Sequence, residues 1–294
     1  LEIEYLAPTG AYITELGKWG IIKGDGSVSG VGHAGREFNS VPANGDRLFN
    51  LVDDTTTLLV NAGCTVNNSC GLHVHLDMRA ENSETRQNLQ DWWHIFEFLI
   101  LGMVQKSRWS SDYAKKVTSA SPDDRYRALN VTALHKFGTY EVRLHHGTLN
   151  NTVIKNWVLF LLSFWDTFTQ MKLTSEVQKE LLSLPKRALV SFLMHQTKMS
   201  MSLRKNMLST LKRHEYPEAI KAISKSGRKV PATPPEVPPD PQQTQTTTQS
   251  ASPPAPRHNG MAIAADATWA YTAATYDLYR NSNLTTGTTE GRNV

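Results

Sequence analysis

The stretch CGLHVHLD, at 70–77, sets two histidines on either side of a single valine. Successive side chains of an extended strand alternate between faces, so His73 and His75 share one face while Leu72, Val74 and Leu76 share the other. Taken alone, such a pair is ordinary decoration of a half-solvated strand. Four other segments are built in a similar way. LEIEY, at the start, sets Glu2 and Glu4 against Leu1, Ile3 and Tyr5, and YEVRL, at 140–144, sets Glu141 and Arg143 against Tyr140, Val142 and Leu144. REFNS contributes Glu37 ahead of Pro42, and GIIKGDGSVSG reads as a hairpin with Asp25 and Gly26 at its turn.

Four carboxylates gathered on one surface repel one another unless cations sit between them. Carboxylate oxygens with one or two imidazoles suit Mg²⁺ or Mn²⁺, whereas a structural zinc site more often recruits cysteine. Arg143, two residues from Glu141, points into the same space and is suited to a phosphate oxygen. Metal and arginine together are the equipment of phosphoryl transfer, where catalysis is mainly positioning and charge neutralisation. Each segment also has a plainer reading, because Glu-x-Glu is common on a solvent face and Glu-x-Arg is commonly a surface pair of little energetic worth. Only a fold that brings them together separates the two readings.

The elements that must do so are visible in outline. LQDWWHIFEFLILGMVQKS (89–107) and TVIKNWVLFLLSFWDTFTQ (152–170) are apolar nearly all round, which predicts two buried helices packed on a sheet. TTTLLVNAG (55–63) predicts a third helix, ended by Gly63. Short alternating strands with clustered helices over 1–170 make one catalytic-sized unit. Residues 171–229 predict a helical appendage, because SEVQKELLSL and SLRKNMLSTLKRH carry apolar residues at helical spacing. Residues 230–260 are Pro, Thr, Gln and Ser with little apolar content, a composition that predicts a disordered linker. Residues 261–294 regain aromatics and alanine and read as a short, partly helical segment.

The chain of 294 residues carries 31 basic and 27 acidic side chains, for a net charge of +4. The excess belongs to 171–230, with 13 Lys/Arg against 4 Asp/Glu, so the remainder sums to −5. A basic patch of this kind can steer nucleic acid, although a solvated helix face is the favoured reading. The two cysteines, Cys64 and Cys70, are expected to be free in a reducing compartment. No run approaches the length of a membrane span, and the first residues lack a basic region followed by an apolar one, so the expectation is a soluble cytoplasmic protein without a membrane partner. Walker loop, Gly-x-Ser-x-Gly elbow and cysteine-based zinc pattern are all missing from the sequence.

In order, Glu-x-Glu, GDGSVSG, REFNSVP, VNNSCGLHVHLD, DRYRALNV and GTYEVRLHHGTLN resemble the amidoligase family of bacteria and phages, over about residues 1–165. That family is a distant relative of glutamine synthetase and glutamate–cysteine ligase in the carboxylate–amine ligase superfamily. The resemblance implies an α+β fold, a glutamine synthetase-like curved antiparallel sheet with packed helices, whose concave face holds ATP and two or three Mg²⁺ or Mn²⁺ ions. It implies phosphorylation of a carboxylate by ATP and displacement of the acyl phosphate by an amine, with a peptide, an amino acid or a protein side chain as substrate, in the host cytoplasm if the chain is phage-encoded. Residue by residue, Glu2 and Glu141 with one or both of His73 and His75 would hold one metal, and Glu4 and Glu37 another. Arg143 would stabilise the transferred phosphoryl group. Arg127 and Asn130 match a further block suited to nucleotide or substrate, and Asp25 matches another. His145 and His146, after Arg143, have no role in the resemblance.

Two other readings remain at this level. His-x-His also opens the ligand set of metal-dependent amidohydrolase barrels, which are built from alternating strand–helix units. A non-catalytic, virion-associated binding protein would instead rely on the basic helical region and the tail.

Overall fold

The structure is a computed structural model that describes residues 1–11 and 13–223. The linker expected over 230–260 and the segment expected over 261–294 lie outside the described residues. Six strands form one sheet: β1 (Glu2–Pro8), β2 (Gly20–Gly24), β3 (His33–Ser40), β4 (Gly71–Asp77), β5 (Leu129–Asn130) and β6 (Thr139–His146). Their order is β2-β3-β1-β4-β6-β5, and every neighbouring pair is antiparallel. An antiparallel sheet of this order cannot be an alternating strand–helix barrel, so the hydrolase barrel considered above is not this fold. The described residues also form eight α-helices: α1 (Gly45–Asn61), α2 (Ser83–Gly102), α3 (Ala133–Phe137), α4 (Asn151–Phe168), α5 (Ser175–Ser183), α6 (Lys186–Gln196), α7 (Met201–His214) and α8 (Pro217–Ile223).

Strand alternation does what the sequence pattern asks of it. Ile3 and Tyr5 of β1, Phe38 of β3, Leu72 of β4 and Val142 and Leu144 of β6 are all buried in the core. The hairpin differs from expectation. GIIKGDGSVSG supplies β2 alone, and its partner is β3 rather than its own second half. Val28 is buried with Leu6 and Cys70, which draws the chain out of a tight turn at Asp25 and Gly26 and into a longer loop.

The two apolar helices form as expected and gain polar starts. Asn82 caps α2 by accepting from the Thr85 amide at 2.8 Å, and Asn150 caps α4 by accepting from the Val153 amide at 3.1 Å. α1 begins ten residues before TTTLLVNAG, at Gly45, and is followed by Gly63 at φ +73°. Trp92 of α2 stacks on Phe168 of α4 at 4.5 Å and on Phe192 of α6 at 5.8 Å between ring centroids. The helices within 171–229 therefore share the core of α2 and α4, with Leu181, Phe192, Leu203, Met207 and Leu211 buried in it. Cys64 and Cys70 are free and buried. No helix among the described residues is long and apolar enough to cross a membrane.

Candidate functional site

The face of the sheet opposite the core collects the ionisable side chains. Register does this directly: Glu2 lies opposite His73, Glu4 opposite Glu37, and Glu141 opposite both His75 and Asn130. All six strands thus contribute to one cavity of about 1170 Å³, above the range usual for small-molecule sites.

His73 sits at the centre of the cluster. Its Nδ1 is 3.0 Å from Glu2 Oε2 and 3.3 Å from Glu141 Oε1, and its Nε2 is 3.4 Å from Glu4 Oε1. The residue that makes room for it is Gly71, where a Cβ would stand 2.8 Å from His73 Nε2 and 3.2 Å from Glu4 Oε2. Without that Cβ, the Gly71 amide donates to Glu4 Oε2 at 2.5 Å.

Glu141 is held from both sides. Asn130 Nδ2 donates to its Oε2 at 2.7 Å, and Arg143 Nη1 donates to its Oε1 at 2.5 Å. Asn39 Nδ2 donates to Glu37 Oε1 at 2.5 Å. Asp25 lines the cavity, and its Oδ1 also accepts from the amide and hydroxyl of Ser27.

His75 is arranged differently from His73. Its Nδ1 is 2.9 Å from the Thr139 hydroxyl, which fixes the ring. Its Nε2 is buried and lies at an ion-pair distance of 3.2 Å from Glu2 Oε1, outside the geometry of a hydrogen bond, so no hydrogen bond satisfies it. A buried ring nitrogen with a carboxylate beside it and its other nitrogen anchored is the usual posture of a metal-ligating histidine.

Among the described residues, potential ligand atoms lie within 4.8 Å of one another in three groups: Glu2, His75 and Glu141; Glu2, Glu37 and His73; and Glu4, Asp25 and Glu37. The donors are carboxylate oxygen and imidazole nitrogen, with no thiol among them, a set that fits Mg²⁺ or Mn²⁺.

The electrostatics of the cluster are uneven. Burial works to raise the Glu2 carboxyl, but the imidazoles of His73 and His75 beside it outweigh that and hold the group well below the usual carboxylate range. Glu37 goes the other way, raised mainly by burial and further by Glu2 and Glu4, against the Asn39 hydrogen bond.

Glu2, Glu4, Asp25, Glu37, His73, His75, Asn130, Glu141 and Arg143 all line the cavity. Arg127 does not. It turns to the core side with Leu129, where its guanidinium donates to the carbonyls of Val117 at 3.3 Å and Pro122 at 3.4 Å, with Glu97 of α2 nearby. The arginines that line the cavity with Arg143 include Arg108 and Arg125. Arg108 is buried, with Nε donating to the Leu144 carbonyl at 3.2 Å and Nη2 to the Arg143 carbonyl at 2.8 Å. No periodic signal announces Arg108, because it ends a single 3₁₀ turn, Lys106–Arg108, that only the fold returns to β6. His145 and His146 are buried away from the cavity, their rings stacked at 4.1 Å.

Residues 37–121 match the family model described as "Putative amidoligase enzyme". The chain is thus similar, over that span, to a ligase-type family of enzymes. The amidoligase match contains Glu37, His73, His75 and Arg108, while Glu2, Glu4, Asn130, Glu141 and Arg143 come to the cavity from strands outside it. No curated protein and no solved structure matches the chain.

Proposed function

We propose that the protein is an ATP-dependent carboxylate–amine ligase, working on a sheet of glutamine synthetase-like kind. The observation that carries this reading is the convergence of carboxylates, imidazoles and Arg143 from four strands and the loop after β2 on one large cavity, with His75 Nε2 buried beside Glu2 and without a hydrogen bond. When bound, ATP supplies the phosphoryl group that activates a carboxylate as an acyl phosphate, Mg²⁺ or Mn²⁺ neutralises its charge, and an amine then displaces phosphate to leave an amide. Glu2 and Glu141 with His75 would hold one ion, and Glu4, Glu37 and Asp25 another; Glu2, Glu37 and His73 offer a third set.

The chain's own groups have defined tasks in this reading. Arg143 is anchored on Glu141 and so presents a fixed guanidinium beside the carboxylates, where charge on a transferring phosphoryl group develops. Arg108, which also lines the cavity, adds a second buried cation, its Nε and Nη2 held by backbone carbonyls. Asn130 and Thr139 orient Glu141 and His75. The core behind the strands keeps these positions rigid, which is where most of such catalysis originates.

The test is calorimetry of ATP binding with Mg²⁺ and with Mn²⁺, followed by ADP release against a panel of carboxylates and amines. ATP is expected to bind only with metal. Glu141→Gln and Arg143→Met are each expected to lower turnover about 100-fold or more while the melting temperature stays close to that of the parent. A folded protein that binds neither metal nor nucleotide would remove the proposal.

A further inference from the structure

The connection between α2 and β5 builds one wall of the cavity from Tyr113, Arg125 and Tyr126, side chains that the ligase chemistry above leaves unused. Tyr113 is 51% exposed and its ring stands edge-on to Tyr126, with centroids 5.6 Å apart and planes at 86°. The Tyr126 ring carries the Arg125 guanidinium at 4.9 Å and the Arg143 guanidinium at 5.7 Å from its centroid. With Tyr126 thus occupied, the Tyr113 ring is the aromatic surface this wall leaves open.

A half-exposed tyrosine is unremarkable by itself. What sets this one apart is the bracing of its loop. Arg143 Nε donates to the Tyr113 carbonyl at 3.3 Å while its Nη1 holds Glu141, so one guanidinium ties the aromatic wall to the carboxylate cluster. The rest of the loop is held by Glu97, which accepts from the Val117 amide at 2.5 Å, by the Lys115–Asp124 pair at 2.9 Å, and by Arg127 on the Val117 and Pro122 carbonyls. A rigid aromatic face with a cation beside it is a sequence-tolerant platform for a nucleobase, because base–aromatic stacking and cation–π attraction act together.

We infer that the Tyr113 ring stacks the base of the nucleotide whose phosphates lie along Arg143 and the carboxylate cluster, with Tyr126 and Arg125 fixing its orientation. This rests on the nucleotide-dependent reading above. The opposite side of the cavity offers a competing aromatic, Phe137, which is 53% exposed, has Lys136 at 4.9 Å from its ring and meets His75 edge-on at 5.7 Å. Phe137 has no guanidinium joining it to Glu141 and is left to the second substrate.

The experiment compares ATP with inorganic tripolyphosphate, each with Mg²⁺, by calorimetry on the full chain and on Tyr113→Ala, Tyr113→Phe and Phe137→Ala. Tyr113→Ala is expected to weaken ATP about 10- to 100-fold and to leave tripolyphosphate unchanged, while Tyr113→Phe and Phe137→Ala keep ATP affinity within about twofold. Unchanged ATP affinity in Tyr113→Ala, equal loss for both ligands, or a loss of ATP affinity carried by Phe137→Ala would each overturn the inference and leave the ligase reading intact. Failure of the parent chain to bind either ligand with metal would overturn both.

Discussion

At the scale of single residues, the candidate ligands have their second atoms already spoken for. Thr139 holds His75 Nδ1, Asn130 and Arg143 hold Glu141, and the Gly71 amide holds Glu4. Such outer partners typically govern metal affinity by about 10- to 100-fold. Thr139→Val, which keeps the shape and removes the hydroxyl, is therefore expected to weaken Mn²⁺ binding by about that factor in a calorimetric titration, with a small change in melting temperature. Gly71→Ala should do worse, because its methyl meets His73 Nε2 and Glu4 Oε2 at once and the strand behind cannot retreat. The alternation of polar and apolar residues made Glu2, Glu4, His73, His75, Glu141 and Arg143 legible from the sequence. It did not reveal Arg108, on a 3₁₀ turn too short to show a period, or Tyr113 and Arg125, on irregular chain. Arg127, expected beside Asn130, instead travels with Leu129 to the core side, since an odd offset in an extended segment separates faces.

At the scale of elements, β6 continues past Arg143 into His145 and His146, and His214 at the end of α7 packs edge-on to His146 at 6.0 Å. Burial pushes all three down from the usual histidine range, His146 to about 4, with their mutual repulsion and Arg108 adding to the shift of the first two and Arg213 to that of His214. A group whose folded pKa lies below its unfolded value binds more protons when unfolded, so its contribution is complete above about pH 6.5 and is lost as the pH falls toward 4. Asp166 of α4 has the opposite sign. Burial raises it to about 7 against the pull of Lys198, so its full contribution is present only below about pH 4 and stability is lost as the pH rises from there through 7. Melting temperatures across pH 4–8 should separate the two effects. His146→Asn is expected to flatten the acid limb, and Asp166→Asn to raise the melting temperature by an amount that grows from about pH 4 to 7 and is constant above it. The helices were legible because their apolar character is continuous, whereas β2 and β3 were misjoined because Val28, buried with Leu6 and Cys70, pulls a turn-like sequence into a longer loop.

At the scale of the whole molecule, the helices that follow α4 are part of what holds the sheet's supporting layer together. Phe192 stacks on Trp92 and lies 6.3 Å from Phe96 between ring centroids, so Phe192→Ala should cost about 3–5 kcal/mol in chemical denaturation, the usual toll for emptying a buried aromatic position. A chain ended after residue 170 should expose Trp92 and Phe96 and bind a hydrophobic dye in the folded baseline, which the parent should not. The basic charge of 171–230 drew attention in the sequence, yet Phe192, Leu203, Met207 and Leu211 of that region are core residues, a fact that helical spacing suggested without saying against what they pack. The two-faced strands have one more effect, which concerns how the chain reaches this state. If β1 paired with β4 one residue out of step, Glu2 and Glu4 would be driven in among the aromatics and Ile3 and Tyr5 would face water. Burying two unpaired carboxylates costs far more than a misplaced leucine would. The same charges that equip the cavity therefore act as a proofreading device during folding, rejecting slipped pairings that an all-apolar sheet would tolerate.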